Sequence, residues 1–320
     1  MNKCLVTGAA GFIGSHLSRR LLSLGHPVRA IDNFADYYDR SQKESNIADL
    51  EDRREFDFIE GDLLEFPLEN LLEGIDVIFH QAAQAGVRAS WGKDFRVYVD
   101  NNVLATQKIL EASLDFKPRK IVFASSSSVY GDSEKLPVAE VDQARPVSPY
   151  GVTKLACEHL CRLYWEGFGL PVVSLRYFTV YGPGQRPDMA FHRFLRAMLL
   201  GEPLTIYGDG SQTRDFTYVE DAVEANLLAA EKGRDGLAYN IGGGHRCSLL
   251  EVIEAIKKVT RLEADLRFLP VEKGDVRHTH SDTSRAGSHL GFRPAADLEE
   301  GLNNEFQWLK ERLKPQSGGI

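Results

Sequence analysis

The 320-residue chain is 43% hydrophobic and 26% charged, the composition of a globular protein with length for about two domains. Its formal charge of -8 excludes nucleic acid as a bulk electrostatic partner, while leaving room for a local basic pocket that takes a phosphorylated small molecule. No apolar run reaches the roughly 18 residues of a membrane helix, and "MNKCLVTG" lacks the charged, apolar and small-residue regions of a signal peptide, so a cytoplasmic protein without a membrane partner is expected.

In chain order, residues 3–8 predict a strand and 11–25 a helix that ends at a glycine. Strands are predicted at 27–32, 56–62, 76–83, 120–125 and 171–178, with helices between most of them, notably at 98–115 and 148–169. Near-continuous apolar strands alternating with helices predict an α/β fold, a Rossmann-type doubly wound parallel sheet covered on both faces. After residue 180 the rhythm breaks. "YGPGQRPDM" reads as a loop, and helices at 190–201, 220–233, near 248–260 and 298–313 surround strands at 204–210, 214–219, 238–244 and 264–270. No linker separates the halves. The expected division is 1–178 plus about 215–243 for a cofactor domain, and about 179–214 plus 244–320 for a smaller interwoven α/β substrate domain, with "PQSGGI" as a frayed tail.

Four cysteines do not make a disulfide framework. In "CEHLC", Cys157 and Cys161 share a helix face from which His159 points away, which suits buried small side chains and no metal site.

Chemistry gathers at strand ends. "TGAAGFIG" places Gly8, Gly11 and Gly14 where the first strand meets the first helix, at the spacing that allows a tight turn, close backbone approach to a pyrophosphate and close helix packing. The helix start offers N–H groups and a positive dipole end to phosphates. Asp32 closes the next strand, eighteen residues past Gly14, where a carboxylate accepts from both adenosine ribose hydroxyls and repels a 2'-phosphate. That combination points to NAD rather than NADP. Asp62, in "GDL", suits a contact to the adenine amino group, and "QAA" (81–83) has small side chains that let backbone pass the cofactor. In "SPYGVTK", Tyr150 and Lys154 lie one turn apart on one helix face. An ammonium beside a phenol stabilises the phenolate, and such a pair can take up a proton near neutral pH.

Together, "TGAAGFIG", Asp32, "GDL", "SSSSVYG", "YGVTK", "RYFTVYGPGQRPDMAF" and "GDGSQTRDFTYVEDA" resemble the extended short-chain dehydrogenase/reductases, in particular their NAD-dependent nucleotide-sugar epimerases. The resemblance spans residue 3 to about 305. It implies a recycled NAD, with Tyr150 as catalytic base, Lys154 on the nicotinamide ribose and Ser126 sharing the hydrogen bond to the reacting hydroxyl. For the cofactor it further implies Phe12, Ile13, Asn33, Leu63, Gln81, Ala82, Ala83, Asn102, Ser125 and Tyr177, beside the glycines, Asp32 and Asp62.

The same resemblance narrows the reaction. Related dehydratases carry an Asp-Glu pair where this chain has Ser127 and Ser128, and related decarboxylases carry a glutamate at Ser128. Without those carboxylates, the simplest outcome is hydride return to the opposite face, a 4-epimerisation. Thr179 and Arg186, with "QAGVRASW" upstream, look like the UDP-glucuronate 4-epimerases, where a C6 carboxylate calls for a bidentate guanidinium with a hydroxyl beside it. Arg88 is a second candidate for that carboxylate or an orienter of its loop. Met189 is expected at the sugar, and Arg214, Arg277 and Asp275 at the nucleotide. The alternatives are a UDP-glucose/galactose or N-acetylhexosamine 4-epimerase and a UDP-glucuronate decarboxylase. Family analogy also implies a homodimer built on helices 98–115 and 148–169.

Overall fold

The computed structural model describes residues 1–270, 274 and 276–314. Its strands are β1 (Lys3–Thr7), β2 (Val28–Asp32), β3 (Phe56–Glu60), β4 (Ile75–His80), β5 (Lys120–Ser126) and β6 (Val172–Tyr177), followed by β7 (Thr179–Tyr181), β8 (Leu204–Tyr207), β9 (Thr213–Tyr218), β10 (Ala238–Ile241), β11 (His245–Ser248) and β12 (Leu266–Leu269). The helices are α1 (Phe12–Ser23), α2 (Arg40–Ile47), α3 (Leu68–Leu72), α4 (Phe95–Tyr98), α5 (Ala105–Phe116) and α6 (Pro149–Phe168), then α7 (Ala190–Leu200), α8 (Val219–Lys232), α9 (Leu249–Thr260), α10 (Ser284–Leu290) and α11 (Leu298–Arg312). None of these helices is long and apolar enough to cross a membrane.

A seven-stranded parallel sheet in the order β10-β6-β5-β4-β1-β2-β3 forms the centre. Alternate side chains of each inner strand enter different cores. Val6, Val77 and Val122 join Leu17 and Leu21 of α1 on one face, while Leu5, Ile78, Ile121 and Phe123 join Ile109 of α5 and Cys157 of α6 on the other. Burial on both faces is why these strands read as unbroken apolar runs. β3 lies on the edge and keeps polar positions. Its Asp57 accepts from Lys3 Nζ and from Arg29 Nε, each at 3.1 Å. The chain runs outward from β1 to β3, returns to β4 and continues the other way, so the sheet's switch point lies between β1 and β4.

β7, β9 and β11 form a separate sheet in the order β11-β9-β7, and α8 carries the chain back so that β10 joins the central sheet beside β6. A third core gathers Tyr181, Phe191, Phe216, Ile253 and Phe306 from the later elements. The predicted "PQSGGI" tail lies outside the described residues.

The segment predicted as one helix over 98–115 begins at Phe95 and passes through a π-helical turn, Val99–Leu104, before α5. The wider turn presents Asn102 inward, where its Oδ1 accepts from Gln84 N at 2.8 Å and its Nδ2 donates to Thr153 Oγ1 at 3.0 Å. The strand predicted to 83 ends at His80, since the backbone beyond it crosses over Gly8. Likewise the strands predicted to 62 and 244 stop at Glu60 and Ile241.

Buried beneath the switch point, the imidazole of His80 bridges Thr7 Oγ1 (2.8 Å) and Thr106 Oγ1 (3.1 Å). A neutral ring serves both contacts, one nitrogen donating and the other accepting. Burial, aided by the nearby Lys154 charge, pushes its pKa down from 6.5 to about 3. Between those values the unfolded chain binds a proton that the folded chain refuses, so stability falls on acidification through this window, by up to about 1.4 kcal/mol per pH unit. His80→Gln is expected to flatten the dependence of unfolding free energy on pH between pH 6 and pH 4.5 in denaturant titrations. An unchanged slope in the variant would contradict the assignment.

Candidate active site

Three glycines open the cleft at the switch point. Gly8 adopts φ +67°, and a Cβ on it would stand 2.7 Å from Ala82 backbone, while one on Gly14 would stand 2.1 Å from the Gly8 carbonyl oxygen. β1, α1 and the segment after β4 therefore approach more closely than any side chain permits. Gly11 caps α1 without a side-chain bond, so the first-turn N–H groups of a twelve-residue helix face the cleft beside Phe12 and Ile13. These features fit the pyrophosphate of a dinucleotide.

Asp32 is fixed at the end of β2, with Oδ2 accepting from Ala10 N (3.0 Å) and Oδ1 from Phe34 N (2.9 Å). Burial raises its pKa, opposed by these N–H groups and by Lys43. Asn33 donates from Nδ2 to Asp62 Oδ2 at 2.8 Å, and Asp62 Oδ1 accepts from Leu64 N at 2.8 Å, which ties the ends of β2 and β3 together. Asn33, Asp62 and Leu63 line the cleft there, and Gln81, Ala82 and Ala83 line it after β4. Tyr177 lines its floor, accepting from Asn226 Nδ2 at 2.7 Å and donating to Gln81 Oε1 at 3.3 Å.

The far end of the same cleft holds Ser125, Tyr150, Lys154 and Arg186. α6 starts sharply because Ser148 accepts from Gly151 N at 3.1 Å and Pro149 occupies the first turn. That fixes Tyr150 in the first turn, its ring edge-on to Tyr98 at 6.2 Å. One turn on, the buried Lys154 donates from Nζ to the Ala124 carbonyl at 2.7 Å, with Nζ 5.0 Å above the Phe123 ring. Ser126 ends β5 and accepts from Ser128 N at 3.1 Å, leaving its hydroxyl hydrogen to give. Ser127 and Ser128 form the 3₁₀ turn that follows. Behind them, Ser125 Oγ donates to Glu158 at 2.5 Å, and Glu158 binds Arg176 Nη2 at 2.7 Å in a buried ion pair.

The loop from Gly182 to Met189 closes one side. Gln185 Nε2 donates to the Val180 carbonyl at 3.0 Å, and the fully buried Glu305 accepts from Gly182 N at 2.9 Å. Burial pushes the Glu305 carboxyl well above the ordinary range, opposed by the Gly182 N–H. Arg186 on this loop donates to both oxygens of Asp188, at 2.9 and 3.0 Å, and to Met189 Sδ at 3.4 Å. Thr179 opens β7 opposite Phe216 of β9.

The remaining candidates are dispersed. Asn102 supports the cleft from behind through Gln84 and Thr153, and its neighbour Asn101 lines it. Arg88 is exposed, with its guanidinium 4.3 Å above the Tyr207 ring. Arg214 Nη1 donates to the Arg277 carbonyl at 3.1 Å, so these two arginines come together beside the bridge between Thr213 and His278. Asp275 lies outside the described residues. Sequence reasoning passed over Tyr37, Tyr38 and Lys43, which also line the cleft, and Asp188. The adjacent tyrosines of "DYYD", just past Asp32, were the available signal.

Residues 4–242 match the model of the NAD dependent epimerase/dehydratase family. The uncharacterized UDP-glucose epimerase YtcB of Bacillus subtilis is 47% identical over 311 residues, covering 96% of this chain and 98% of that one. The UDP-glucuronate 4-epimerase of Thermodesulfobacterium geofontis is 37% identical, with 98% of each chain covered. The crystal structure of UDP-glucuronic acid 4-epimerase from Bacillus cereus, in complex with UDP-glucuronic acid and NAD, superposes with a TM-score of 0.94 at 47% identity, over 97% of this chain and 99% of that one. The family match spans both the glycine cradle and the helix of Tyr150 and Lys154, and the chain belongs to the NAD dependent epimerase/dehydratase family.

Proposed function

We propose that this protein is an NAD-dependent 4-epimerase of a UDP-sugar acid, interconverting UDP-glucuronate and UDP-galacturonate through a transient 4-keto sugar. The observation that carries this reading is that Arg186, a guanidinium suited to a carboxylate, lines the same cleft as Tyr150 and Lys154. The relatives named for UDP-glucuronate epimerisation support it.

Tyr150 is the base that removes the O4 proton, one helical turn from Lys154 on the nicotinamide ribose. Ser126 donates to O4 as negative charge develops there. Bound NAD supplies reversible hydride uptake at C4. Gly8, Gly11, Gly14 and Asp32 would hold its pyrophosphate and adenosine ribose, Asn33, Asp62 and Leu63 the adenine end, and Gln81–Ala83, Ser125 and Tyr177 the nicotinamide side. Epimerisation requires the keto sugar to turn and present its other face while Arg186 and Thr179 retain the C6 carboxylate. Ser127 and Ser128 bring no carboxyl group for elimination. A 4-keto uronate is a β-keto acid that loses CO2 when the breaking bond aligns with the carbonyl π system, so clamping the carboxylate out of alignment preserves it.

Arg214 and Arg277 take the diphosphate in this reading and Asp275 the uridine ribose. Residues 1–178 plus 215–243 serve the cofactor, and 179–214 plus 244–320 the sugar nucleotide. Arg88, on Tyr207, acts on its loop. A neutral-hexose 4-epimerase is the second reading. It is favoured by the pairing of Arg186 with Asp188, which already balances the guanidinium charge.

The exposed Leu104, Val152 and Leu163 lie along the π turn and α6, which supports a homodimer joined there, placed in the cytoplasm on this reading. Leu163→Glu is expected to convert dimer to monomer in sedimentation at micromolar concentration; a wild-type monomer would remove this part of the reading. Arg186→Ala should lower kcat/KM for UDP-glucuronate roughly 100-fold, and Thr179→Ala about fivefold, with some UDP-4-keto-pentose released. Unchanged kinetics in both variants, or turnover of UDP-galactose without UDP-glucuronate, would overturn the acid-sugar assignment.

A further inference from the structure

A planar guanidinium has two edges that can each take a carboxylate, a side edge (Nε and one Nη) and an end edge (both Nη). In Arg186 the side edge is committed, and Nη2 also meets Met189 Sδ at 3.4 Å, a weak acceptor that a carboxylate on the end edge would displace. Nε donates to Asp188 Oδ1 at 2.9 Å and Nη2 to Oδ2 at 3.0 Å. Asp188 is held in turn, because its Oδ2 accepts from the Tyr37 hydroxyl at 3.2 Å. The Arg186 guanidinium also lies 5.7 Å from the Tyr37 ring centroid.

Tyr37 belongs to the other side of the cleft, in the loop between Asp32 and α2. It is wedged there. A Cβ on Gly86 would stand 2.1 Å from the Tyr37 hydroxyl oxygen, and Gly86 itself, at φ +100°, is fixed by Tyr98, whose hydroxyl donates to the Ala85 and Gly86 carbonyls at 2.8 Å each. Burial first, then the neighbouring Asp188, raises the Tyr37 pKa, while Arg186 and Tyr37 outweigh burial to keep Asp188 low. The tyrosine is thus a neutral donor and the aspartate an ionised acceptor.

We infer that Asp188 and Tyr37 are positioning residues for acid-sugar recognition, with Asp188 holding the side edge of Arg186 so that its end edge meets the sugar carboxylate, and Tyr37 anchoring Asp188 to the cofactor side of the cleft. The inference rests on the reading of Arg186 as the carboxylate clamp. It predicts that the clamp is registered against the cofactor loop as well as the loop that carries it. It also reconciles the Arg186–Asp188 pair with an anionic substrate, since one guanidinium can serve two carboxylates on different edges.

Asp188→Asn would loosen Arg186 and also remove a like charge near the sugar acid, two effects of opposite sign. Tyr37→Phe is cleaner because it keeps every charge and most of the packing. Binding of UDP-glucuronate and of UDP-galactose to the NAD-loaded protein would be measured by titration calorimetry for wild type, Tyr37→Phe, Arg186→Ala and the double variant. The expected result is about a tenfold weaker Kd for UDP-glucuronate in Tyr37→Phe, the size of one charge-assisted hydrogen bond, with UDP-galactose changed less than about twofold. In the Arg186→Ala background the same substitution should add less than about twofold, since Tyr37 acts through Arg186. An equal loss for both sugars, full additivity in the double variant, or wild-type affinity in Tyr37→Phe would each overturn the inference while leaving the proposed function standing. Wild-type protein that binds UDP-galactose but not UDP-glucuronate would instead sink the acid-sugar reading, and this inference with it.

Discussion

A buried ammonium sets the geometry on which the site depends. Lys154 gives up water to donate to the Ala124 carbonyl at the end of β5, and one turn later Glu158 takes the hydroxyl of Ser125. Two successive turns of α6 thereby grip two successive residues of β5, and Ser126 is the next residue along. Taking charge out of water costs several kcal/mol per ion unless it is well paired. Here Glu158 faces Arg176 on β6, Arg176 Nη1 donates to the Tyr130 hydroxyl at 2.7 Å, and Tyr130 donates to Asn240 Oδ1 at 2.7 Å. The network runs from the end of β5 to β10, the strand the chain adds after its excursion into the second sheet. Lys154 and Ser126 are therefore held by contacts to backbone, and Tyr150 by its place in the first turn of α6 and its packing on Tyr98.

The opposite wall is organised by exclusion of side chains. Gly8 and Gly14 let the β1–α1 turn and the segment after β4 touch backbone to backbone, and Thr7 Oγ1 accepts from Ala82 N at 3.1 Å to close that contact. Asn102, turned inward by the π-helical segment, binds that same wall through Gln84 and binds α6 through Thr153. One amide thus links the segment after β4 to the helix that carries Tyr150 and Lys154. The third wall, the loop from Gly182 to Met189, is braced at its base by Glu305 and across the cleft by Tyr37.

The central sheet was legible in the sequence because its strands are buried on both faces and its helices follow an apolar period. The glycine turn, Asp32 and the Tyr150–Lys154 helix were legible because each imposes a backbone or spacing requirement that composition alone does not. α2 left no such trace. Its inward face is Gln42, Lys43 and Asn46, which bond to backbone carbonyls of Gln185, Ala35 and Ala10, so an apolar period never forms. β7 has three residues and pairs across a long loop. The π turn keeps the polarity of an ordinary helix, and only the inward asparagine marks it. The resemblance to UDP-glucuronate 4-epimerases marks Arg186 as a clamp, but its pairing with Asp188, two residues away, depends on how the loop folds.

In the function proposed above, this cleft moves the C4 hydrogen off a UDP-sugar acid and returns it to the other face with the carboxylate intact. Proton NMR of the NAD-loaded protein with UDP-glucuronate in D2O tests that most directly. The expected spectrum shows the anomeric and H4 signals of UDP-galacturonate, with H4 remaining protium and no pentose formed. Deuterium at C4, or conversion to a UDP-pentose, would contradict it.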